Sequence, residues 1–293
     1  LVLPPSDHHV RAARAVHRLR SGLGRGLVRG RRFRQMRKRL ARPAQGGRQR
    51  TLAVGERPLV AQHHRADRAV AVCVLSHAGV EGGRRLALRP FGLSVDQLLR
   101  RGLSVWLYDR SGTGDSPAAT RSELTPGNPE HRRDWQAVLT GAREENLPVI
   151  ALTWSGGIVP VLAAAARGNA PDALIDGEGP VDRWSLLPPP GFRGSEGAEL
   201  RDRDPWDDTA WEDLEALGLL HHLPGPYSRL QGLPDHVHGD MTRHAERIVA
   251  RARELDLPTR PFTPLPSRLH DHPSETLGAL AWTQTHLRRI IKS

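Results

Sequence analysis

Pro148-Val-Ile-Ala-Leu-Thr-Trp-Ser155-Gly-Gly-Ile-Val-Pro-Val-Leu-Ala-Ala-Ala-Ala166 decides the fold. An apolar, β-branched run ends abruptly at one serine. Two glycines follow, then a stretch rich in alanine and valine that reads as a buried helix. The pattern predicts a strand, a sharp turn and a helix, with Ser155 at the apex. Such a turn strains the apical residue and needs small neighbours, because the strand end and the helix start nearly touch. In return the hydroxyl stands clear of the sheet, beside N–H groups at a helix N-terminus where negative charge is stabilised. The plainer alternative is a strand–helix loop in which Ser155 only caps the helix.

Working outward, the same alternation recurs. Strands are predicted at 51–54, 58–61, 69–75, 104–108, 149–152, 173–176, 228–231 and 261–266, the last as a proline-interrupted edge strand. Helices are predicted at 94–101, 129–146, 244–255 and 274–291. The run Ala69 to Leu75 is continuously apolar, as expected of a strand buried on both faces. Strands alternating with helices predict an α/β three-layer sandwich: a mostly parallel, eight-stranded sheet with helices on both faces. Residues 179–226 break the rhythm. They are rich in Pro, Gly, Asp and Trp, with one helical piece expected at 207–222. A long excursion between strands is the usual place for a lid or binding loop. Trp184, Trp206 and Trp211 lie in it, out of seven Trp in the chain, so it is expected to face an apolar substrate, with Trp154 beside the serine.

Charge divides the 293 residues in two. Residues 1–50 carry fifteen Arg or Lys and one acid, a balance of +14; the other 28 basic and 31 acidic residues leave 51–293 at −3. The expectation is a basic, poorly ordered N-terminal tail at 1–50 and a globular α/β domain at 51–293 with the insertion at about 179–226. Contact of the tail with nucleic acid or an anionic surface is conceivable from its charge, but a solvated segment is the preferred reading. No apolar stretch approaches the ~20 residues of a membrane span, and no secretory signal is visible, so a cytoplasmic protein is expected. The single cysteine, Cys73, excludes an internal disulfide and reads as buried strand filler.

Acyl transfer by a serine needs an exposed hydroxyl, a histidine base, a carboxylate to orient it, and N–H donors for the oxyanion. In an open parallel sheet these belong at the carboxyl ends of strands. Ser76-His-Ala78-Gly79 follows the strand ending at Leu75 and can supply one backbone donor; Gly156 N–H, just after the serine, supplies another. Gly232-Leu-Pro-Asp235 places a carboxylate past a strand end. Pro266-Ser-Arg-Leu-His270-Asp-His272-Pro273 offers two histidines, either of which could be the base.

Taken in this order, residues 51–293 resemble the α/β-hydrolase superfamily, whose triad runs Ser, acid, His along the chain. The His-Ala-Gly turn and Tyr108-Asp-Arg-Ser-Gly-Thr-Gly-Asp-Ser116 both match, the latter with Ser111 for the usual first glycine of Asp-x-Arg-Gly-x-Gly-x-Ser. Thr153 stands where the Gly-x-Ser-x-Gly elbow has its first glycine, and Gly157 matches the second. The resemblance implies Ser155 as nucleophile, Asp235 as acid and His270 as base, with the oxyanion held by Gly156 and by Gly79 or Ala78. It implies a cap at the 179–226 insertion, a small-molecule ester substrate, and neither cofactor nor metal. His272 competes for the base. Asp176 and Glu178, ending the preceding strand, compete for the acid, since a minority of the superfamily carries it there. Two other classes remain. His236-Val-His238-Gly-Asp240 has the spacing of a metal-dependent hydrolase loop, and a hydrolase-like scaffold can serve as a non-catalytic binding protein.

Overall fold

The computed structural model describes residues 47–77, 83–117, 129–186, 200, 203–233 and 242–290. Two strands open it, β1 (Arg48–Val54) and β2 (Arg57–His64). They form a hairpin in which Val54 faces Arg57 across a two-residue turn, with Gly55 at φ +60°. The first strand therefore starts at Arg48.

The interior strands are β3 (Ala71–His77), β4 (Leu103–Tyr108), β5 (Val149–Trp154), β6 (Ala173–Gly177) and β7 (Tyr227–Leu230). Their order is β1-β2-β4-β3-β5-β6-β7. The pairs β4/β3, β3/β5, β5/β6 and β6/β7 are parallel, while β1/β2 and β2/β4 are antiparallel. Alternation along β3 divides the core. Val72 and Val74 face one layer, with α2 (Pro129–Arg143), α3 (Ile158–Ala165) and α7 (Thr242–Glu254). Cys73 and Leu75 face the other, with α1 (Val95–Leu99) and α8 (Pro273–Ile290). Ser94 caps α1 with Gln97 in a reciprocal box, and Gly102 at φ +70° follows its end, as the sequence pattern requires.

Two expectations are corrected. Among the described residues the sheet has seven strands and is mixed, rather than eight and mostly parallel. The eighth, expected at 261–266, keeps one isolated parallel bridge, Gly232↔Leu265, with another just before it, Tyr227↔Thr259. Pro261, Pro264 and Pro266 have no N–H to give, so only Arg260 and Leu265 donate to the edge of β7. Beyond α4 (Arg183–Leu186), the helical piece expected at 207–222 is broken into α5 (Asp208–Trp211), α6 (Ala216–Leu219) and a 3₁₀ turn, Leu220–His222. Tertiary contacts interrupt it. The Arg183 fork and backbone N–H bind Glu215, which is extended, and Leu217 N–H donates to Val181 O. Among the described residues no helix is long and apolar enough to cross a membrane.

Candidate active site

Ser155 has φ +53°, a left-handed backbone at a non-glycine residue. β5 delivers it, a 3₁₀ turn (Ser155–Gly157) follows, and α3 leaves at Ile158. The turn is tight because β3 ends against it. A Cβ on Gly157 would overlap the Ser76 carbonyl and stand 3.0 Å from His77 N. Ser76 Oγ donates to Gly157 O (2.9 Å) and accepts from Tyr108 Oη (3.1 Å), which ties β3, β4 and the serine turn together. Thr153 replaces the small residue of the usual elbow without a clash: it is wholly buried and donates from Oγ1 to Asp176 Oδ1 at 3.4 Å.

The histidines lie at the same end of the sheet. A 3₁₀ turn, Leu269–Asp271, carries His270. Its placement is set by two glycines. A Cβ on Gly92 (φ +62°) would overlap the His270 carbonyl, and one on Gly232 would come within 2.6 Å of Leu269 N and 2.8 Å of Glu178 Oε1. Leu269 and Phe91 cover Gly177 at the end of β6, and the Phe91 ring packs edge-on to Trp154, 6.0 Å between centroids. The turn bearing His270 and the turn bearing Ser155 thus share one apolar support. The His270 ring is about half exposed, with Nε2 3.3 Å from Asp271 Oδ1. His272 Nε2 lies 2.8 Å from Ser267 Oγ.

The two alternate carboxylates differ in their surroundings. Asp176 is fully buried, and both its oxygens are engaged by Arg229, Tyr227, Gly179 and Thr153. Glu178 is buried, strained at φ +53°, and accepts Gly232 N–H at 2.9 Å. Strain of this kind gathers at sites where geometry matters. Among the described residues four non-glycines have positive φ: Asn146 and Asp256 just past the ends of α2 and α7, and Ser155 and Glu178 just past the ends of the neighbouring strands β5 and β6. Asp235, Ala78 and Gly79 lie outside the described residues, as do His236, His238 and Asp240. Gly156 is buried in the first turn after Ser155.

The tryptophans separate. Trp154 is half-buried beside the serine. Trp184 and Trp206 are exposed and stack edge-to-face at 5.5 Å. Trp211 is wholly buried, its Nε1 donating to Asp204 O (2.9 Å).

Sequence reasoning missed a clasp between the end of β4 and the 3₁₀ turn Gly83–Leu86. Asp109, at the end of β4, accepts from Arg84 N (2.5 Å), Arg84 Nη1 and Asp115 N (2.9 Å), while Gly83 and Gly114 leave it room. The signal was present in the Asp-x-Arg segment, but the partner, 25 residues upstream, was not. Asp134 likewise binds Ser111 N and Oγ, and burial pushes its carboxyl up to about 6. The lone thiol, Cys73, is pushed up to about 12 by burial, so it stays protonated and inert. Among the described residues no group of His, Cys, Asp and Glu is placed to hold a metal ion.

No family profile and no curated protein matches the sequence. Solved structures do. An arylesterase matches at TM-score 0.59 and 16% identity, over 96% of this chain and 99% of its own. A Pyrococcus furiosus esterase matches at 0.58 and 11%, over 86% and 95%. A puromycin-hydrolyzing peptidase of Mycobacterium tuberculosis matches at 0.61 and 19%, over 82% of this chain but only 40% of the peptidase. With the strand order, the strained serine turn and these likenesses together, the chain has the α/β-hydrolase fold.

Proposed function

We propose that the chain is a serine hydrolase cleaving carboxylic esters through an acyl-enzyme, with Ser155 as nucleophile, His270 as base and Asp235 as acid. The observation that carries this reading is Ser155 itself: a non-glycine at φ +53° between a buried strand and a buried helix, at the carboxyl edge of the sheet. His270 takes the serine proton, and Oγ attacks the carbonyl. The oxyanion is held by Gly156 N–H and by Gly79 or Ala78 N–H. The alcohol leaves with the proton from His270, and water, activated by the same ring, releases the acid. Asp176 is a poor orienter of the base because its oxygens are already saturated. Esters are favoured over amides because they need least help for the leaving group.

The 179–226 insertion serves as a cap. Trp184 and Trp206 offer it an exposed apolar face, and the buried Trp211 supports it from within. The expected outcome of a substrate panel is hydrolysis of p-nitrophenyl acetate or butyrate, little or no cleavage of the matching anilide, and no loss on adding EDTA. Inactivation by EDTA with recovery on zinc would assign the reaction to a metal instead.

The basic segment is read as separate from catalysis. Since β1 begins at Arg48, removal of residues 1–46 leaves the sheet whole. Ester hydrolysis and melting temperature are expected to stay nearly unchanged, while any salt-sensitive binding to nucleic acid or anionic lipid is lost. A melting temperature lower by ~10 °C, well beyond what ~1 kcal/mol produces in a domain of this size, would show that the segment packs on the domain.

A further inference from the structure

The 3₁₀ turn Arg89–Phe91 and the glycine after it touch both halves of the proposed site. Phe91 is wholly buried, and its ring packs edge-on to Trp154, the residue before Ser155, at 6.0 Å between centroids. The same ring and Leu269 close over Gly177 at the end of β6. A Cβ there would stand 2.7 Å from Phe91 Cε1 and 3.2 Å from Leu269 Cδ2. Gly92 carries the chain onward at φ +62°, its N–H donating to Arg89 O at 3.0 Å, while Leu93 N–H returns to Leu88 O at 3.3 Å. The backbone of His270 sits directly on this glycine. A Cβ on Gly92 would overlap His270 O and lie 3.5 Å from His270 Cα.

The turn is held from behind as well. The preceding 3₁₀ turn, Gly83–Leu86, is clasped to the end of β4 through Arg84 and Asp109, and Arg84 Nη2 also reaches Asp115 Oδ2 at 2.8 Å. Residues 83–92 are therefore a strut. One end is fixed on the sheet, and the other is wedged between the turn of the nucleophile and the turn of the base. A close-packed interior transmits a displacement of such a wedge instead of absorbing it. Proton transfer from a serine to an imidazole needs the two within hydrogen-bond reach, about 2.6–3.2 Å, and a misplacement of about 1 Å costs on the order of a hundredfold in rate. We infer that Gly92 is a positioning residue: its lack of a side chain lets the His270 turn close onto the strut, and Phe91 registers the strut against the residue before Ser155. The inference rests on the reading of Ser155 and His270 as nucleophile and base.

The test compares three substitutions in the full chain. Gly92→Ala sets a methyl against His270 O and strains a left-handed backbone. Gly102→Ala imposes the same kind of strain at φ +70° and brings Cβ to 2.9 Å from Arg68 O. It does so just before β4, at the edge of the parallel strands opposite to Ser155. Gly168→Ala, at φ +79° with open space around it, imposes the strain alone. Each is expected to melt earlier, by roughly 2–10 °C. With p-nitrophenyl acetate, kcat is expected to fall ~10–100-fold in Gly92→Ala only, with KM within about twofold in all three, the split expected when the reacting groups are misaligned and binding is not. Phosphonylation of Ser155 by a fluorophosphonate should slow by a similar factor in Gly92→Ala, because it needs the same contact between serine and base. An unchanged kcat in a folded Gly92→Ala would overturn the inference. So would an equal loss in Gly102→Ala, which would make the fall a general cost of destabilisation. If Gly92→Ala does not fold, Phe91→Leu decides: it stays apolar but withdraws the ring edge from Trp154. A kcat lower by ~3–10-fold at unchanged KM then supports the inference, and a kcat equal to the parent's overturns it. Full activity in His270→Ala would overturn the base assignment and this inference with it. An inactive His270→Ala beside a Gly92→Ala with the parent's kcat would overturn this inference only.

Discussion

Ser155→Ala is expected to leave the protein folded and to lower kcat/KM on a p-nitrophenyl ester by about three orders of magnitude or more. The hydroxyl is the only group removed, so the ester carbonyl has no enzyme nucleophile to take its acyl group, while the oxyanion donors and binding surface remain. The residual rate is what those contribute alone. Stability separates this from a folding defect. Alanine at φ +53° carries the same backbone strain as serine, so the melting temperature should hardly move. Ser155→Gly relieves that strain and should be more stable by about 1 kcal/mol, a rise of roughly 2–4 °C for a domain of this size, while being equally inactive. A Ser155→Ala protein that keeps most of its activity would contradict the assignment, and a Ser155→Gly protein that melts earlier than the parent would contradict the strain.

The base and the acid come next in size. His270→Ala is expected to lower kcat by about a thousandfold, and Asp235→Asn less, because the amide keeps the shape but loses the charge that orients and stabilises the imidazolium. His272→Ala should stay within about threefold of the parent: its ring is engaged with Ser267 Oγ within its own turn. The 3₁₀ turn does not depend on either ring, since Leu269 is buried and the His270 backbone abuts Gly92. Loss of activity in His272→Ala with a normal His270→Ala would move the base by two residues. Normal activity in Asp235→Asn, with loss in Glu178→Gln, would move the acid to the end of β6, where Glu178 sits strained and buried.

Much of the fold was legible because it is written in local patterns. Buried parallel strands read as unbroken apolar runs, and all seven residues of β3 and all six of β4 are buried. The capping box at Ser94 and the turn at Gly55 are set by residues a few positions apart. The serine turn was legible for the same reason. The eighth strand failed where pattern and hydrogen bonding part company. Its apolar residues suit an edge strand, but three prolines within six residues leave it one bridge, at Leu265. The break in the 207–222 helix was not legible at all. It is imposed by Arg183, 32 residues before Glu215. Trp211 reads in the sequence like Trp184 and Trp206, and only packing shows that it is interior while they are exposed. The same holds for Arg229 and Asp109, whose partners lie 53 and 25 residues away. Around the candidate site, the strained turn at Ser155 follows from local pattern, while the hydrogen-bonded frame of distant residues beside it does not.

The most direct measurement is covalent labelling of the full chain by a fluorophosphonate, with the modified residue located by peptide mass spectrometry. Phosphonylation needs an activated serine and no knowledge of the substrate. The account predicts stoichiometric labelling on Ser155, abolished in Ser155→Ala and slowed by orders of magnitude in His270→Ala. A folded protein that hydrolyses esters yet takes no label, or takes it on another residue, would contradict it.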